Sequence, residues 1–141
     1  MRRYTLQPPV ADIRLYLEAS TIEELFTVSV EGLAYLLAGN SCQLLQRENT
    51  YTLSHPVHLS SVDQTGLLID FLSSVLSTSM INRSIYCQTK IIDLKENHLD
   101  AILYGYNYES IKQEIKAISN IETKIIKNGE GNLETTIVLD I

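Results

Sequence analysis

The hydrophobic period of the chain changes abruptly at Ser20, and that change limits what the chain can fold into more than any other feature. From Ala11 to Ala19 the residues alternate, with Ile13, Leu15 and Leu17 on one face and Asp12, Arg14, Tyr16 and Glu18 on the other. Successive side chains of a strand point to opposite faces, so this segment reads as a strand with one wet face. Ser20 then stands three residues before Glu23, a capping box that opens a helix. Within that helix Ile22, Leu25, Phe26, Leu33, Leu36 and Leu37 gather on one side, leaving Glu23, Glu24, Thr27 and Glu31 for solvent. It should run to about Ala38 and stop at Gly39-Asn40, a left-handed terminator pair. An apolar helical stripe directly after a half-buried strand needs a sheet to cover.

The rest of the chain supplies one. Tyr51 to Ser60 reads as a strand that Pro56 confines to an edge or a bulge, because proline cannot donate to a ladder. A second helix is expected from cap Ser61, with Asp63 near its positive end and Leu67, Leu68, Phe71, Leu72, Val75 and Leu76 as its buried stripe. Ser84 to Leu94 and Leu99 to Tyr108 flank the Lys95-Glu96-Asn97-His98 turn as an antiparallel hairpin. A short helix is expected around Ser110 to Lys116. Ile121 to Lys127 and Leu133 to Ile141 form a closing hairpin about Asn128-Gly129-Glu130-Gly131-Asn132. Strands and helices do not alternate regularly enough for a parallel sheet, so the expected fold is α+β, a mainly antiparallel sheet covered by two helices.

With 141 residues, 45% of them hydrophobic, the chain suits a single domain over residues 1–141. The longest apolar stretches are far too short to span a bilayer and the start lacks a hydrophobic signal core, so a cytoplasmic protein with no membrane partner is expected. A net charge of −6 opposes attachment to phosphate backbones, and no direct nucleic-acid binding is expected. Cys42 and Cys87 are too far apart for a redox or zinc motif, and in the cytoplasm they should be buried thiols.

Candidate chemistry is sparse. The sequence has no phosphate loop, dinucleotide fingerprint or nucleophile elbow, and its three histidines are scattered, so an enzyme is not expected. His55 and His58 face opposite sides of an extended strand, which argues against shared metal ligation. Tyr104, Tyr106 and Tyr108 make a same-face aromatic row, extended by Tyr86 across the hairpin, suited to cross-strand packing or to anchoring a protein. Asp12 and Asp140 both lie on the wetter faces of their strands. If those strands are antiparallel neighbours, Asp12 approaches Asp140 and the carboxylate of Ile141. Clustered carboxylates repel unless a cation compensates them, and all-oxygen ligation favours calcium, magnesium or manganese. The plainer reading is that strand ends often expose an aspartate for solubility; the residues alone leave both open.

Four segments in order resemble landmarks of the archease family over nearly the whole chain: Ala11-Asp12-Ile13, Leu67-Leu68-Ile69-Asp70-Phe71-Leu72, Glu114-Ile115-Lys116-Ala117-Ile118-Ser119 and Ile137-Val138-Leu139-Asp140-Ile141. The resemblance implies an accessory protein that activates the GTP-dependent tRNA-splicing RNA ligase, promoting its guanylylation and turnover. It also implies a divalent cation held by Asp12, Asp140 and Ile141, with Lys116 contacting phosphate or balancing the acidic site. Two departures are plain. Pro9-Val10-Ala11-Asp12 stands where archeases usually carry His-Thr-Ala-Asp, and Glu109 to Glu114 keeps only the last residue of His-Pro-x-Gly-Thr-Glu. A divergent, archease-like protein-binding module without ligase activation is the alternative.

Overall fold

A computed structural model of the chain describes residues 2–7, 12–48, 51–119 and 123–141. Along them run β1 (Arg2–Gln7), β2 (Asp12–Ala19), α1 (Ile22–Ala38), α2 (Ser41–Glu48), β3 (Leu53–Ser60), α3 (Gln64–Asn82), β4 (Ser84–Leu94), β5 (His98–Asn107), β6 (Ala117–Ser119), β7 (Ile126–Lys127) and β8 (Leu133–Asp140). The fold is α+β with antiparallel pairing throughout the described ladders. The expected single sheet is two. One has the order β1-β2-β8-β6, with β7 also on β8, and the other has the order β3-β5-β4.

The second sheet explains why α1 is more apolar than one stripe requires. Its buried residues include Val28, Val30 and Ala34 besides Leu25, Phe26, Leu33, Leu36 and Leu37, because α1 packs on both β2 and β4. Phe26 of α1 stacks on Phe71 of α3 with ring centroids 5.8 Å apart. Around this pair a continuous core joins Leu15 and Leu17 of β2, Leu67 and Leu72 of α3, Leu99 and Leu103 of β5, and Ile137 and Leu139 of β8.

Helix starts fall one or two residues later than the sequence suggests. Thr21, not Ser20, caps α1 and accepts from the Glu24 amide at 3.2 Å, while Ser20 donates to the Glu24 carboxylate at 2.7 Å. Asp63, not Ser61, caps α3, accepting from the Gly66 amide at 2.7 Å. Gly39 ends α1 as expected, with φ 66° and its amide donating to Tyr35.

Other expectations are corrected. β1 and α2 were not anticipated from the sequence. No helix forms over Ser110 to Lys116. Ile111 and Ile115 have helical spacing, but the Lys112 amide donates to the Leu37 carbonyl at 2.8 Å and the Lys116 amide to the Asp140 carbonyl at 2.7 Å. The segment bonds to neighbouring elements instead of to its own preceding turn. The strand expected over Ile121 to Lys127 is confined, among described residues, to Ile126–Lys127, since the Ile125 amide turns to Thr65 of α3 at 3.3 Å; Ile121 and Glu122 lie outside the described residues. Cys42 and Cys87 are not free thiols. They form a disulfide that ties α2 to β4, their Cα atoms 5.4 Å apart across a sequence separation of 45, a closeness that only the tertiary fold creates. Among the described residues no helix is long and apolar enough to cross a membrane.

Candidate metal centre at the paired strand ends

Alternation along β2 buries Ile13, Leu15 and Leu17 against α1, which turns Asp12 outward on the same strand. β8 behaves alike, with Ile137 and Leu139 fully buried and Asp140 exposed. The two strands pair antiparallel in a register that sets Asp12 directly opposite Asp140. Cross-strand partners point to one face, so two carboxylates stand side by side at this end of the sheet. Ala11, Val10 and Pro9, which precede Asp12, lie outside the described residues.

On the other flank of β8, Ala117 of β6 pairs with Asp140, and the amide of Lys116 donates to the Asp140 carbonyl. Lys116 is itself exposed, and Ile141 follows Asp140 off the strand with 41% exposure. The ladder thus collects Asp12, Lys116, Asp140 and Ile141 about one strand end. Arg14 approaches Asp12 only at 3.9 Å, a partly solvated pairing that offsets little of the repulsion between two carboxylates. The donor chemistry here is all oxygen, which fits a hard divalent cation such as calcium, magnesium or manganese. Asp70 of α3 shares a cleft with Asp140, together with Ser61, Ser73 and Ser119. It adds a third carboxylate on the α3 side.

The remaining candidates separate. His55 turns inward, its ring 6.2 Å from that of Tyr86, whereas His58 turns out to Asp100, so the two do not meet. Tyr104 and Tyr106 share the outer face of β5, but Tyr86 pairs with Gly105 and is buried on the opposite face, so it does not extend their row. Tyr108 lies beyond the strand, under the guanidinium of Arg83 at 5.5 Å. The disulfide occupies both cysteines.

Sequence reasoning missed a second constellation, on the other sheet. Asp93, His98 and Asp100 offer ligand atoms that all lie within 4.8 Å of one another, a group able to hold a metal ion. His98 Nε2 is 2.9 Å from one oxygen of Asp100, and His58 Nδ1 is 2.5 Å from the other. Hydrogen bonding from His58, then His98, holds the Asp100 carboxyl below its ordinary range. The signal available was His-x-Asp at the start of a strand, two positions apart and therefore on one face.

None of the curated proteins compared with the chain matches it in sequence. Among the solved structures that match it, two do so along almost their whole length. Protein 1598 of Methanobacterium thermoautotrophicum superposes with a TM-score of 0.77 at 19% identity, covering 98% of each chain. An archease from Thermotoga maritima, described as a possible chaperone, gives a TM-score of 0.61 at 17% identity, covering 99% of this chain and 100% of that one. At these identities the likeness shows the fold. The sequence itself matches the model of the archease protein family (MTH1598/TM1083) over residues 4–141. That match takes in both strand ends with their aspartates and the stretch through Lys116, and the chain belongs to the archease family.

Proposed function

We propose that this chain is a metal-binding accessory protein that activates a GTP-dependent RNA ligase of the tRNA-splicing type by promoting its guanylylation and turnover. The pairing of Asp12 with Asp140 in a member of the archease family carries the reading. Asp12, Asp140 and Ile141 hold the cation, and Asp70 faces the same cleft from α3. When bound, the ion neutralises the carboxylates and presents positive charge toward a nucleotide or phosphate of the partner. Lys116, fixed beside Asp140 by its own amide but free at its side chain to reach outward, adds a second positive group for phosphate. The chain's own part is positioning: strand ends are rigid, and a ligand set built on them keeps its geometry when a partner docks. The net charge of −6 supports an arrangement in which the ligase, not this chain, holds the RNA.

The test is RNA joining by the cognate ligase at limiting enzyme, with the wild-type chain, Asp140→Ala, deletion of Ile141, and Lys116→Ala. Loss of multiple turnover with the first two variants at unchanged melting temperature is expected, with a partial loss for Lys116→Ala. Full activation by both Asp140→Ala and the Ile141 deletion would remove this assignment of residues.

A second reading has its own observation. Residues Pro9 and Val10 replace the family's histidine and threonine, and Tyr104 stands partly exposed on the outer face of β5, opposite Gln88. A protein-binding module without ligase activation would use that face. Pull-down of an unrelated partner, unaffected by Asp140→Ala and abolished by Tyr104→Ala, would favour it.

A further inference from the structure

The alternation of β5 buries Leu99, Ala101 and Leu103, so His98 and Asp100 share the outer face of the second sheet. β5 is the middle strand of that sheet, and Asp100 has a ladder partner on each side: His58 on β3 and Asp93 on β4. Four polar, ligand-bearing side chains from three strands therefore converge on one spot, on a different sheet from the β2 and β8 ends.

The position of Asp93 is not the default one. Ile91 pairs with Ala101, so a regular ladder would place Ile92 opposite Asp100. A bulge between Ile91 and Asp93 pushes Ile92 out, 56% exposed, and brings Asp93 opposite Asp100 instead. Bulges re-aim side chains, and this one exchanges an apolar neighbour for a second carboxylate. Like charges directly opposite weaken a ladder unless something positive stands between them. Lys95 reaches Asp93 only at 3.7 Å from an exposed position.

We propose that Asp93, His98 and Asp100 form a divalent-metal site for zinc or a similar borderline ion, separate from the oxygen-only strand ends, with His58 as the residue that orients Asp100. The atoms divide the work. His98 Nε2 lies 2.9 Å from Asp100 Oδ2 and 4.0 Å from Asp93 Oδ2, spacings that bracket the edge of a coordination shell with bonds of about 2.0–2.2 Å. The other oxygen of Asp100 is held by His58 Nδ1 at 2.5 Å, the supporting hydrogen bond that ligating carboxylates commonly receive. One imidazole with two carboxylates suits zinc, cobalt or nickel better than calcium, which prefers a larger all-oxygen shell. The side chains are 29% to 43% exposed, which leaves the remaining coordination positions to water or to a donor from a partner.

The experiment is calorimetric titration of zinc chloride into the whole disulfide-bonded chain, whose cysteines then do not compete, with amide shifts read in parallel. One zinc per chain at micromolar affinity is expected, with shifts centred on β3, β4 and β5. His98→Ala should weaken binding by about tenfold or more, and His58→Ala by a smaller factor. Asp140→Ala should leave it unchanged, which separates this site from the proposed ligase-activating end. Should His98→Ala alter the metal-free amide spectrum, the exposed Asp93→Asn serves in its place. Failure of the wild type to bind zinc, or binding that survives His98→Ala, overturns the proposal and leaves the cluster as histidine–carboxylate pairs joining three strands.

Discussion

At Gly105 an added β-carbon would sit 1.9 Å from the carbonyl oxygen of Ile85, a backbone atom that no rotamer change can move aside. Gly105→Ala should therefore cost about 3 kcal/mol, read as a lower urea midpoint at unchanged slope. Glu18 is buried on the outer side of the first sheet, where Asn132 and Asn128 donate to it and Arg3 pairs with it at 2.6 Å. Those hydrogen bonds, Asn132 first, hold its carboxyl below the ordinary 4.5. A depressed folded-state value means the stabilisation is complete above the unfolded value and is lost as pH falls through the folded one. Melting scans should thus show the wild type losing more stability than Glu18→Gln below about pH 4.5. Glu31 has the opposite sign: burial raises its carboxyl, so its contribution is present in acid and declines as pH rises. Asp12 and Asp140 could be placed on outward faces from alternation alone, but their pairing could not, because register is a property of two strands and the sequence shows each by itself.

At the scale of elements, strongly periodic segments were legible and locally ambiguous ones were not. α1, α3, the β4–β5 hairpin and β8 follow from spacing and turn residues, whereas their caps shift because several neighbouring oxygens compete for the first free amides. Asp63→Ala should destabilise the protein by about 1 kcal/mol in thermal melts, and Ser61→Ala by clearly less, because Asp63 makes the capping bond. β1 was missed because its alternation, Tyr4 and Leu6 between Arg3, Thr5 and Gln7, covers too few residues to mark a strand until its pairing with β2 is seen. The segment from Ser110 to Lys116 was misread because the spacing of Ile111 and Ile115 mimics a helix, while the amides of Lys112 and Lys116 are claimed by α1 and β8. The bulge that aims Asp93 is likewise invisible in one sequence, which is why the histidine–aspartate cluster escaped notice.

For the whole molecule, the order of strand and helix segments pointed to an α+β chain, and the order of four landmarks pointed to the family. What that order could not show was the division into two sheets about α1, since a helix covered on both sides and a helix with a broad stripe differ only at a few positions such as Val28 and Val30. The disulfide links α2 to the β4 strand of the second sheet. Replacing Cys42 and Cys87 with serine should lower stability by about 3–4 kcal/mol for the loop it closes. A reducing agent should then lower the melting temperature of the wild type and leave that of the double variant unchanged.

The place of β8 between β2 and β6 also has a kinetic side. Tyr16 of β2 and Glu134 of β8, which meet across the ladder between those strands, are 118 positions apart, so the two halves of the first sheet join only through contacts of high sequence separation. Chains of that kind fold slowly, since loop entropy is lost before the pairing returns it. On the ribosome β1, β2 and α1 emerge long before β8, and throughout that interval one edge of β2 has no ladder partner. An open edge is a template for strands of other chains. The interval between the emergence of β2 and of β8 is thus when a nascent chain is most prone to pair with its neighbours, and slowing elongation between them should raise the aggregated fraction.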